Sequence, residues 1–141
     1  MHKKLLSAMI AVGLFLSLCI PAFASENFGD VNTDEYYADE IEWAYEQGLM
    51  SGVGDSNFAP LKSTNRAMLL TVLWRLENKP AASGTNPFTD VASDEWYTEA
   101  VIWSSEKKLI EGYDNGLFGP ADTLTREQLV AILYRYAKFK G

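Results

Sequence analysis

The sequence predicts an all-α protein built from tandem helix–loop–helix units, and three observations carry that expectation. The first is an internal repeat. At a constant offset of 60, Phe28–Leu76 lies over Phe88–Tyr136 without a gap, and 16 of the 49 paired positions are identical; unrelated chains of ordinary composition would share roughly three. The second is helical periodicity in Thr123–Tyr136 (TLTREQLVAILYRY) and in its partner Ser63–Leu76 (STNRAMLLTVLWRL). The third is a Gly-rich connector between the two helices of each unit, short enough to turn the chain back as a small hairpin.

Met1–Ala24 reads as a secretory signal peptide: Lys3 and Lys4, an apolar run from Leu5 to Ile20, then an Ala22-Phe23-Ala24 cleavage site. The apolar run is shorter than the roughly 20 residues of a membrane span, so no stable membrane anchor is expected after cleavage. Leu18 precedes Cys19 where a lipoprotein would carry a small residue. Cleavage removes the single Cys and the single His, leaving no thiol or imidazole for nucleophilic catalysis, a disulfide or a Cys/His metal site. Losing Lys3 and Lys4 moves the formal charge from −7 to −9. So acidic a chain is poorly suited to nucleic acid or anionic lipid. No cofactor and no metal is expected.

The first unit covers 25–76 and the second 88–141, joined by a Pro/Ala/Ser/Gly linker at 77–87. Each opens with F-x-D-V (Phe28–Val31, Phe88–Val91), followed by a first helix of about Tyr36–Gln47 or Trp96–Lys107. Asp34 and Asp94 can cap these helices. Trp43 and Trp103, inside them, are expected in the core. Gly48 is placed to end the first as a left-handed terminator, a position that Lys108 takes in the second. Asn115-Gly116 between apolar flanks marks a tight turn in the second connector. In the closing helix Thr125 reads as the N-cap and Gln128 as its reciprocal partner. Leu129, Ile132, Leu133 and Tyr136 then form an apolar stripe, repeated as Leu69, Val72, Leu73 and Leu76. Two helices cannot bury their apolar faces alone. Units of this size stack on one another, usually three or more, and two are present here.

These residues resemble the S-layer homology (SLH) family: the F-x-D-V start, the aromatic before the first helix, the Gly112-Tyr113-Asp114-Asn115-Gly116-x-Phe118-x-Pro120 connector, and the Thr125-Arg126-Glu127-Gln128 helix start. The resemblance covers both units. It implies a non-catalytic, exported module, part of a pseudo-trimeric helical spindle, that binds cell-wall polysaccharide, often anionic and pyruvylated, or peptidoglycan at the bacterial surface. It also implies that the motif Arg, here Arg126 and Arg66, contributes to saccharide-binding grooves between modules. Unit two keeps the pattern better: unit one has Tyr36 for Trp96, Asn65 for Thr125 and Gly52-Val53-Gly54 for Gly112-Tyr113-Asp114.

The candidate saccharide-binding residues are therefore Arg126, Arg66, Trp96, Tyr36, Gly112 and Thr125. A guanidinium at a helix start faces the positive end of the helix dipole, so an anionic partner is expected. That partner is either Asp90 or Asp30 of F-x-D-V, or a carboxylate on a ligand, which a planar fork suits. Trp96 and Tyr36 offer either a flat platform for a sugar ring or core packing. Gly112 fits a turn or close backbone approach. Asp55, Asp114 and Asn115 lack the spacing of a calcium loop. A carboxylate-dependent glycosidase needs only two acids, and Glu35, Glu95, Asp34 and Asp94 are available, but they stand at helix openings where acids are ordinary. A further expectation is assembly: a two-unit chain leaves helix faces that another copy, or a partner carrying such modules, would cover.

Overall fold

The computed structural model describes residues 28–141; the expected signal peptide, Met1–Ala24, lies outside them. The described residues form four helices, α1 (Ala38–Glu46), α2 (Arg66–Leu76), α3 (Thr98–Glu106) and α4 (Arg126–Lys140), with two isolated β-bridges and no strand among them. The fold is all-α, as the repeat pattern predicts.

α1 and α3 start two residues later than the pattern suggests, and Asp34 and Asp94 do not cap them. Their N-caps are Tyr37 and Tyr97, without side-chain hydrogen bonds. A preceding turn does the capping: Ala38 N donates to Glu35 O and Thr98 N to Glu95 O, both at 3.1 Å, so the first free N–H is already met. α1 ends as expected, with Gly48 at φ +65°, and after α3 Lys108 takes the same left-handed place at φ +56°. The capping box on α4 is complete: Thr125 Oγ1 accepts from Gln128 N and Gln128 Oε1 from Thr125 N.

Each unit closes through its F-x-D-V aspartate. Asp30 accepts from Phe58 N and Ala59 N at 2.8 and 2.7 Å, and Asp90 from Phe118 N and Gly119 N at 2.7 and 2.8 Å. The connector is thus pinned to the start of its own unit, 28 residues away.

The main core lies between the units. Ala67, Leu70 and Leu73 of α2 join Val91, Val101, Ile110 and Phe118 of unit two and Ile132 of α4, and α2 packs along α3. Unit one keeps only a small cluster of Phe28, Val31 and Ala38. This placement changes three sequence expectations. Trp103 is buried, with its ring edge-on to Phe139 of α4, whereas Trp43 is exposed; α2 packs along α3, and no helix among the described residues packs along α1. The α2 face centres on Leu70 and Leu73 while Leu76 is exposed, because the helix is gripped by the neighbouring unit. The linker at 77–87 is docked: Trp74 Nε1 donates to Pro80 O at 2.8 Å, and the Glu106 carboxylate accepts from the backbone of Ser83 and Gly84. At its start Glu77 accepts from Tyr136 Oη at 2.6 Å and Lys140 Nζ at 2.9 Å. Burial and the Glu77 hydrogen bond push the Tyr136 hydroxyl up to about 12, fixing it as a donor that ties α4 back to α2.

Candidate functional site

Arg66 opens α2, whose N-cap Asn65 accepts from Met68 N at 2.8 Å. The N–H groups of Arg66 and Ala67 donate at 3.1 Å to Asp122 O and Pro120 O of unit two. The positive end of α2 is therefore met by backbone carbonyls of the other unit. The side chain follows the same route. Arg66 Nε donates to Phe118 O at 2.9 Å and Nη2 to Glu111 O at 3.1 Å, and the guanidinium lies over the rings of Phe118 and Tyr113, 4.8 and 5.1 Å from their centroids. Arg66 is 6% exposed. Pairing with Asp30 does not form, since Asp30 is occupied by its own connector. Burial alone would raise the Asp90 carboxyl; the amides of Phe118 and Gly119 and the charge of Arg66 outweigh it and hold the group below its ordinary range.

Beside this buried arginine a cleft of about 230 Å³ opens between the units. Its walls are Arg66 from unit one, Glu111, Gly112 and Tyr113 from the second connector, and Gln128 and Arg135 from α4. The volume is at the small end of ligand pockets, enough for one ring or one acidic substituent. Arg135 approaches Glu111 at 3.4 Å on an exposed edge, a weak pair that leaves the guanidinium available. Tyr113 Oη donates to Asp122 Oδ2 at 2.8 Å. That hydrogen bond, with burial, raises the phenol and keeps it protonated. Gly112 must be glycine: a Cβ there would run into the Phe88 ring and stand 2.7 Å from Leu117 O.

Of the six residues singled out by sequence, Arg66 and Gly112 line this cleft. Arg126 is exposed at the mouth of α4, Thr125 is engaged in its capping box, and Trp96 and Tyr36 are exposed, each edge-on to the tyrosine that follows it. Arg135, Tyr113 and Gln128 are the cleft residues that sequence reasoning did not single out as ligands. One signal for Arg135 was present, since Arg75/Arg135 is among the identical pairs of the repeat. Among the described residues no group of three acidic, His or Cys side chains is arranged to hold a metal, and no helix is long and apolar enough to cross a membrane.

The family model of the S-layer homology domain matches the chain twice, at 27–67 and 87–130. The chain belongs to the S-layer homology domain family. One match falls in each structural unit, ending within α2 and within α4, and the main core lies between the units. Relatives include the surface-layer 125 kDa protein of Lysinibacillus sphaericus, 29% identical over 99% of this chain and 12% of that protein. An endoglucanase of Bacillus sp. (strain KSM-635) is 30% identical over 94% of this chain and 15% of the enzyme. A cell surface protein of Thermoanaerobacter kivui is 28% identical over 98% of this chain and 19% of its own length. The chain thus spans less than a fifth of each relative. SLH relatives in S-layer and cell-surface proteins support a cell-envelope anchoring module.

Proposed function

We propose that this SLH pair is exported and holds to the cell envelope by binding an anionic wall polysaccharide in the cleft between its units. The observation that carries the reading is the convergence of Arg66, Arg135, Tyr113 and Gln128 on one small cavity. Arg66 supplies positive charge from within the wall and Arg135 a solvent-facing fork for a carboxylate. Tyr113 offers a ring edge to a sugar, and Gly112 lets the ligand approach the backbone. Arg126, Trp96 and Tyr36, exposed outside the cleft, are further contacts on the same reading, and Thr125 serves it by capping α4.

The relatives support a non-catalytic role. The same segment occurs in proteins named for the surface layer and in an endoglucanase, of which it makes up 15%. A segment shared by such different proteins suits attachment better than chemistry.

The test is co-sedimentation with purified sacculi, before and after removal of secondary polymer, for the wild type, Arg135→Ala and Arg126→Ala. Binding should fall at least about tenfold on stripping and in Arg135→Ala, with unchanged thermal melting, since an exposed ion pair contributes roughly 0–1 kcal/mol. Equal binding by Arg135→Ala and the wild type would remove the cleft from the reading. Binding that survives stripping would make peptidoglycan the target.

A further inference from the structure

We propose that Glu111 is a built-in competitor for the anionic ligand: its carboxylate holds Arg135 in the free protein, and an acid on the ligand must displace it to reach the guanidinium. This device presupposes the saccharide reading of the cleft and sets the affinity of that site. The side chains lining the cleft include two guanidiniums, Arg66 and Arg135, and one carboxylate, Glu111. Arg66 is 6% exposed and forms no ion pair among the described residues. Its Nε and Nη2 donate to main-chain carbonyls, and Nη1 donates to nothing among the described residues. Arg135 has one charged partner, Glu111 Oε1, at 3.4 Å from Nη2. The cleft is thus a positive spot in a chain whose formal charge is −7, and Glu111 is the side chain that reduces it.

Glu111 is fixed at its main chain and loose at its side chain. Its carbonyl accepts from Arg66 Nη2 at 3.1 Å, which pins the residue to the cleft wall. Its side chain is 80% exposed, and an exposed pair at this distance is weak enough to open. An acid on a ligand offers Arg135 the same planar partner from inside the cleft, where the local dielectric is lower and a charge-assisted hydrogen bond is stronger. Until Glu111 swings away, the two carboxylates also repel one another across Arg135. The free pair therefore screens the guanidinium from weakly acidic or poorly fitting ligands without closing the cleft.

The other unit supplies the contrast. At the 60-residue offset Arg75 stands for Arg135 and Ser51 for Glu111. Arg75 Nη1 donates to Leu49 O at 3.0 Å, a main-chain carbonyl of its own unit. Arg135 makes no such bond to Leu109 O, the matching acceptor, and reaches the Glu111 carboxylate at the cleft edge instead. The same arginine is thus tied to the backbone where residue 51 is serine and turned to the cleft where residue 111 is an acid. Folding does not require that acid. Unit one closes with serine in its place, and Arg66 uses only the carbonyl of residue 111, which any residue supplies. The Glu111 carboxylate therefore answers to the cleft and not to the core.

The experiment is co-sedimentation with purified sacculi that retain their secondary polymer, for the wild type, Glu111→Gln, Arg135→Ala and the double variant. Glutamine keeps the carbonyl that Arg66 uses and removes the charge, so thermal melting should stay unchanged. Glu111→Gln is expected to bind roughly two- to fivefold more tightly than the wild type, the range an exposed ion pair allows. Adding Glu111→Gln to Arg135→Ala should bring no gain, because the competition is for Arg135. Glu46→Gln removes the same charge from α1, outside the cleft, and should bind as the wild type does. Glu111→Gln binding no better than the wild type, a gain that persists without Arg135, or an equal gain in Glu46→Gln would each overturn the proposal. In those three cases a loss of binding in Arg135→Ala leaves the saccharide reading standing. Arg135→Ala binding as well as the wild type would remove the cleft from that reading, and the role of Glu111 with it.

Discussion

Arg66 donates from Nε and Nη2 to two main-chain carbonyls that lie 52 and 45 residues further along the chain. Both acceptors belong to the other unit, and the side chain is buried between two aromatic rings. A lysine in this place would carry the charge but not the fork. Its repeat partner Arg126 stands at the matching place in unit two and is exposed. Environment separates the two arginines where sequence does not. Arg66→Ala leaves two inward carbonyls unmet and is expected to cost about 2–4 kcal/mol. Arg126→Ala is expected to change stability by less than about 0.5 kcal/mol. Urea unfolding of the two variants checks this, and equal midpoints would show that Arg66 is not a strut.

The connectors are held by carboxylates, which gives these elements a pH dependence. The Asp30 carboxyl is lowered by the amide of Phe58, against burial, and helped by that of Ala59. Burial works to raise Asp90, but the amides of Phe118 and Gly119 and the Arg66 charge prevail. Both folded-state values therefore lie below the ordinary 3.8. A depressed carboxyl adds stability that is present above the unfolded value and is lost as pH falls through the folded one. Melting temperature should hold from neutral pH to about pH 5 and fall as pH drops below roughly 4. Asp90→Asn should melt lower at neutral pH and show a shallower acid limb. Parallel limbs for variant and wild type would mean that the clamp does not hold the second connector. Lys108 sets a different condition on an element: at φ +56° it ends α3 without the freedom that Gly48 gives α1.

At the scale of the molecule, the repeats and the cooperative units do not coincide. Ala67, Leu70 and Leu73 come from unit one, yet they pack on Val91, Val101, Ile110 and Phe118 of unit two. Burying such an aliphatic side chain contributes roughly 1.5–3 kcal/mol, and a domain of this size has only about 5–15 kcal/mol in all. Residues 87–141 alone should therefore lack a cooperative thermal transition by circular dichroism, whereas the two-unit chain should melt in one step. A sharp transition in the excised unit would show that α2 is a lid and not part of the core. The linker agrees with a single cooperative body, because Glu106 and Asn86 hold it against unit two.

The repeat, the four helices, the capping box at Thr125 and Gln128, and the left-handed end at Gly48 were all legible in the sequence by itself. So was the family resemblance. Each depends on residues a few positions apart, or on two copies of one pattern, and local geometry translates such spacings directly. Of the cleft residues, Arg66 and Gly112 were singled out from the sequence, while Arg135, Tyr113 and Gln128 join them from elements that sequence does not place side by side. Only the tertiary structure decided which arginine is buried, which tryptophan is covered, and which face of α2 is the inner one. Trp43 and Trp103 are the same residue in the same pattern, and Arg66 and Arg126 likewise. What distinguishes each pair is whether another unit lies against it, and that contact is made by chain far away in sequence.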